Sequence, residues 1–165
     1  NPGFSPTTPV ITRQQNPRFY AHIKTGASVA SYGIAIGLAD TTGITDILTN
    51  GDLTPESCNV GFLVFDTAES HTTTFRTYTN NGSASGTTTN TTGNIAVSTD
   101  YYVCLDFSSG SNLVVYVNGA SVATITLTLP TNTTDLQPFF FVKTNTNSAK
   151  VGSFSYAGNY IDAAQ

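Results

Sequence analysis

The stretch from Tyr101 to Leu129, YYVCLDFSSGSNLVVYVNGASVATITLTL, commits the chain to β-structure before any other segment is considered. Tyr101, Val103, Leu105 and Phe107 fall on alternate positions, as do Leu113, Val115 and Val117, which is the period of a strand with one face against a core. Ser108 to Asn112 supplies one turn. Asn118-Gly119 supplies the other, a pair that readily takes the positive φ angles of a type I′ turn, so Val117 and Ala120 are expected to face each other across a tight hairpin.

Further strand-like runs follow the same punctuation. They are Phe19 to Lys24, Tyr32 to Leu38, Asn59 to Phe65, Thr72 to Thr79, Asn94 to Val97, Ala120 to Leu127, Phe139 to Lys143 and Val151 to Tyr156. Their spacing is that of an all-β sandwich or barrel. Only Ile44 to Leu48 hints at a helical turn. Phe62-Leu63-Val64-Phe65 and Phe139-Phe140-Phe141-Val142 are apolar on both faces, so these strands should be covered on both sides or packed against a neighbouring molecule. The polar stretch from Asn80 to Gly93, NNGSASGTTTNTTG, reads as an exposed hairpin loop with no part in the core. Asn81, Asn90 and Asn132 open N-glycosylation sequons, a pattern that arises by chance in so Asn- and Thr-rich a chain.

Pro2, Pro6, Pro9 and Pro17 crowd the N-terminus, where proline removes a ladder donor and extends the residue before it. Residues 1–17 are therefore expected as an extended arm, either a loose terminus or a clasp on a neighbouring subunit, followed by one sandwich domain over residues 18–165.

Charged residues make up only 10% of the chain, against roughly 25% in typical soluble domains, so solubility rests on hydroxyls and amides. A surface of that kind suits the outside of a cell or particle. With a net charge of −4 and six scattered Lys and Arg there is no basic stripe, so nucleic acid is not an expected partner. No apolar run approaches the length of a membrane span. Cys58 and Cys104 are read as free thiols, since a chain of this size needs no cross-link to fold, with a disulfide between neighbouring strands as the alternative; neither has the C-x-x-C partner that a structural zinc site would use.

Chemistry is sparse. A glycoside hydrolase needs two facing carboxylates, and the two glutamates, Glu56 and Glu69, lie in no alternating carboxylate cluster. No G-x-S-x-G elbow is present, and His22 and His71 read as surface residues, His22 on an edge strand. Calcium ligands could come from Asp40 with Thr41 and Thr42, or from Asp46 with Asn50 and Asp52, but no spacing enforces either set and neither a metal ligand nor a cofactor is assigned. For glycan binding, a sandwich needs exposed aromatic rings beside polar groups. Tyr78 and Tyr102 are the candidates by alternation, with Tyr32 and Tyr116 behind them; the competing reading is that these rings only half-cover the sheet.

The runs GIAIGLAD, GFLVFDT, YYVCLDFSSGSNLVVYVNGASVATI and LQPFFFVKT resemble the concanavalin A-like lectin/glucanase superfamily, the laminin-G-like jelly roll, over Phe19 to about Tyr156. Within it the order Ile36 to Asp40, Gly61 to Asp66, Val117 to Gly119 and Pro138 to Lys143 is similar to modules of bacteriophage virion proteins. The resemblance implies a two-sheet antiparallel jelly-roll sandwich. It also implies a non-enzymatic structural protein on a virion surface, a capsid decoration or fibre domain, with capsid proteins and sister subunits of a homo-oligomer as partners. The alternative is a lectin-like module that recognises surface glycans. The glucanases' catalytic carboxylates and the legume lectins' metal-binding acidic pairs have no counterpart in this sequence.

Overall fold

The structure, a computed structural model, describes residues 11–30, 32–40, 48–49, 52–53, 58–67, 73–83, 86–144 and 155–162. Thirteen strands are present among them: β1 (Ile11–Thr12), β2 (Arg18–Lys24), β3 (Tyr32–Ala39), β4 (Leu48–Thr49), β5 (Asp52–Leu53), β6 (Asn59–Asp66), β7 (Thr74–Asn81), β8 (Thr87–Asn94), β9 (Asp100–Asp106), β10 (Leu113–Val117), β11 (Ala120–Ile125), β12 (Asp135–Thr144) and β13 (Ser155–Asp162). One sheet has six strands in the order β1-β12-β3-β6-β7-β8, the other five in the order β11-β10-β9-β2-β13, and β4 and β5 form a separate short ribbon. Every pairing is antiparallel. No helix among the described residues is long and apolar enough to cross a membrane.

The core between the sheets follows from alternation. Phe19, Ala21 and Ile23 of β2, with Val103 and Leu105 of β9, point inward to meet Ile34, Ile36 and Leu38 of β3 and Leu63 and Phe65 of β6. Burying each such side chain contributes about 1.5–3 kcal/mol relative to exposure. The six-stranded sheet also carries a second buried cluster on its other face, built by Ala35, Val60, Phe62, Val64 and Tyr78. This is the physical basis of the doubly apolar run Phe62 to Phe65.

The hairpin of β10 and β11 forms with Val117 opposite Ala120, and Asn118 and Gly119 both take positive φ, 52° and 80°. Three expectations are corrected. The expected strand over Asn94 to Val97 is replaced by β8, all of which but Asn94 lies in the stretch read as a loop: Thr87 to Thr89 pair with Thr77 to Thr79, and Thr91 is buried with its hydroxyl donating to the Phe75 carbonyl at 2.6 Å. The end of the expected arm belongs to the sandwich, because Ile11 and Thr12 pair with Leu136 and Asp135 of β12 and Ile11 is buried. His22 does not lie on an edge strand, since β2 runs between β9 and β13. Residues 1–10, Ile44 to Ile47 and Val151 to Phe154 lie outside the described residues.

Candidate functional site

The outward residues of the five-stranded sheet form the candidate site. Strand alternation sends Phe19, Ala21 and Ile23 into the core, so Arg18, Tyr20, His22 and Lys24 stand on the outer face of β2. On β9 the same rule presents Asp100, Tyr102, Cys104 and Asp106, and on β10 Val114 and Tyr116. Register then stacks these into cross-strand rows: Arg18 with Asp106 and Val114, Tyr20 with Cys104 and Tyr116, His22 with Tyr102, and Lys24 with Asp100. Directly opposed side chains of this kind are the unit of interaction on a sheet face.

Each row has a defined contact. The Arg18 Nε donates to Asp106 Oδ2 at 3.1 Å, and Arg18 Nη2 donates to the Ser108 hydroxyl at 3.2 Å. The Ser108 amide donates in turn to Asp106 Oδ1 at 2.8 Å. Burial opposes ionisation of Asp106, but the hydrogen bonds from Ser108 and the guanidinium of Arg18 together outweigh it and hold the carboxyl below the usual carboxylate range. His22 stacks on Tyr102 with ring centres 4.5 Å apart and planes 9° from parallel, while its Nε2 lies 2.8 Å from Asp100 Oδ1. Hydrogen bonding to His22, then the charge of Lys24 at 3.6 Å, lowers the Asp100 carboxyl despite a smaller opposing effect of burial.

The middle row contains a small residue between two large ones. Cys104 lies between Tyr20 and Tyr116, so a groove of about 320 Å³ opens there, mostly apolar, bounded also by Tyr102, Gly119 and the Arg18–Asp106 pair. Burial pushes the Cys104 thiol's pKa up. Tyr102 remains 61% exposed and Tyr20 37% exposed.

Of the two expected aromatic residues, Tyr102 takes its place on this face and Tyr78 does not. Tyr78 is 2% exposed, sits in the second buried cluster, and accepts a hydrogen bond from Asn80 Nδ2 at 3.4 Å. A β-carbon on Gly86 would come within 2.4 Å of its ring, so that glycine lies directly against it. The expectation fails because the six-stranded sheet is buried on both faces, so pointing away from the main core does not mean exposure. Tyr116 reaches the groove. Tyr20, Arg18, Asp106 and His22 were missed as site residues, for the register that assembles them is not visible in a single strand.

Asp40 stands apart from this face, at the end of β3 in the six-stranded sheet. Asp40 Oδ2 accepts from the Asn59 amide at 2.9 Å and from Asn59 Nδ2 at 3.0 Å, tying the end of β3 to the start of β6. No cluster of His, Cys, Asp or Glu suited to a metal ion occurs among the described residues. Thr41, Thr42, Asp46, Asn50, Glu56, Glu69 and His71 lie outside those residues, and so does the side chain of Tyr32. Neither Cys58 nor Cys104 is in a disulfide; the first is buried against the six-stranded sheet and the second is half-buried in the groove.

No family model and no curated protein matches the chain. Solved structures do. The carbohydrate recognition domain of Emp47p aligns with a TM-score of 0.65 at 11% identity, covering 96% of this chain and 76% of that one. The carbohydrate-binding module CBM66 from Bacillus subtilis aligns at 0.54 with 8% identity, covering 94% and 78%. The β-glucanase of Bacillus licheniformis aligns at 0.58 with 12% identity, covering 95% and 68%. At such identities the likeness is one of architecture, and it identifies the fold as an all-β, concanavalin A-like jelly-roll sandwich.

Proposed function

We propose that this chain is a carbohydrate-binding module and that it binds through the outer face of the five-stranded sheet. The observation that carries the reading is the exposed, nearly parallel Tyr102–His22 stack beside the tyrosine-lined groove over Cys104. Sugar C–H groups pack on such rings, while the rim of hydroxyls, guanidinium and carboxylates offers hydrogen bonds to sugar hydroxyls. Two of the solved structures with this fold are described as carbohydrate-recognising or carbohydrate-binding, which supports the alternative expected from the sequence.

The module works by binding, without turnover. Asp106 and Asp100 are engaged by Arg18 and by His22 and Lys24, an arrangement that fixes the shape of the face and leaves neither carboxylate positioned as half of an acid–base pair. A surface built on hydroxyls and amides supports a place outside a cell or particle. The virion role expected first has no support among the solved structures named above. On a glycan array, the chain should give reproducible binding that Tyr102→Ala removes and Tyr78→Phe retains. Silence of the unaltered chain on a broad array would sink the reading.

A further inference from the structure

The groove over Cys104 also constrains the kind of sugar, an inference that rests on the carbohydrate-binding reading. Its volume of about 320 Å³ sits at the bottom of the range of about 300–1,000 Å³ for small-molecule sites, room for one sugar unit. Its lining is mostly apolar, with a thiol flanked by Tyr20 and Tyr116 at the centre of the row. A ring bearing only hydroxyls would leave one of them against that surface without a partner, which costs binding; a methyl group fits it. The charges at the rim are already matched, Arg18 with Asp106 and Asp100 with His22 and Lys24. Among the described residues lining the groove, no cation is left without a carboxylate to attract a uronate or sialate.

We infer that the groove takes a neutral sugar carrying a methyl group, with the methyl over Cys104 between Tyr20 and Tyr116 and a face of the ring against Tyr102. The methyl can belong to a 6-deoxy sugar or to an N-acetyl group. Two matched pairs separate those sources: L-fucose against L-galactose, and N-acetyl-D-glucosamine against D-glucose, with D-glucuronic acid as the charged probe.

Affinities measured by calorimetry on the full chain should favour the methyl-bearing member of one pair by about fourfold or more, the value of one buried methyl group. The favoured sugar should slow iodoacetamide alkylation of Cys104, which is read cleanly because Cys58 is buried. Chain already alkylated at Cys104 should lose that binding, and since alkylation is done on folded protein the result does not depend on a variant folding. Binding that is lost in Tyr102→Ala but shows no methyl preference, or favours glucuronic acid, or leaves Cys104 alkylation unchanged, would overturn this inference and leave the carbohydrate reading standing. Absence of binding to every sugar would overturn both.

Discussion

Asn118 grips Tyr102 from both sides of its backbone: the Asn118 amide donates to the Tyr102 carbonyl at 2.8 Å, and the Asn118 Oδ1 accepts from the Tyr102 amide at 2.8 Å. The turn that closes the β10–β11 hairpin therefore also anchors the most exposed ring of the proposed site. Asn118→Ala loses the acceptor and strains a left-handed backbone, at a cost of about 1–2 kcal/mol. Sugar affinity should fall with it. Asn118→Asp keeps the oxygen and tolerates the conformation, so it should restore most of both; calorimetry and thermal melts on the two variants check this.

Gly37 of β3 lies directly against the backbone of β6. A β-carbon there would stand 2.1 Å from the Gly61 carbonyl oxygen and 2.8 Å from Leu105 Cδ1, so Gly37→Ala is expected to cost about 3 kcal/mol or more. Gly119 has open space around it and only its φ of +80° to forfeit, so Gly119→Ala should cost about 1 kcal/mol. Urea melts of the two variants measure the difference.

Thr91 tests whether β8 is part of the body of the domain. Its hydroxyl donates to Phe75 and accepts the Gly93 amide at 3.2 Å, so Thr91→Val should destabilise the protein by about 1–2 kcal/mol. The same change at exposed Thr92 should stay within about 0.5 kcal/mol. Equal, negligible effects would return this segment to the status of a surface loop.

Acid should loosen the outer face. Asp106 and Asp100 have pKa values depressed in the folded state, so the stability each contributes is present above the ordinary carboxylate pKa of about 4 and is lost progressively as the pH falls below it. Melting temperatures should therefore drop from about pH 4 downward. Asp106→Asn should flatten that dependence while lowering stability at neutral pH; an unchanged slope would remove Asp106 from the explanation.

The sequence carried the β9, β10 and β11 meander almost residue for residue, because apolar alternation and an Asn-Gly pair are local signals. It could not carry β8, whose Thr and Asn composition reads as loop and whose strand character comes from pairing with β7 and from the buried Thr91 hydroxyl. Tyr78 was misread for a related reason. Its cross-strand partner is Phe62, a member of the very run that signalled burial on both faces, so pairing that run with its neighbour was the clue to Tyr78. A third of the proposed site was legible, as Tyr102 and Tyr116. Arg18, Tyr20, His22 and Asp106 gain meaning only from the register of β2 against β9.

Amide chemical-shift mapping of the isotope-labelled chain, titrated with a sugar that binds on the array, tests the location of the site most directly. The account predicts perturbations centred on Tyr20, His22, Tyr102, Cys104 and Tyr116, fading toward the six-stranded sheet. Shifts centred instead on β6 and β7, around Phe62 and Tyr78, would contradict it.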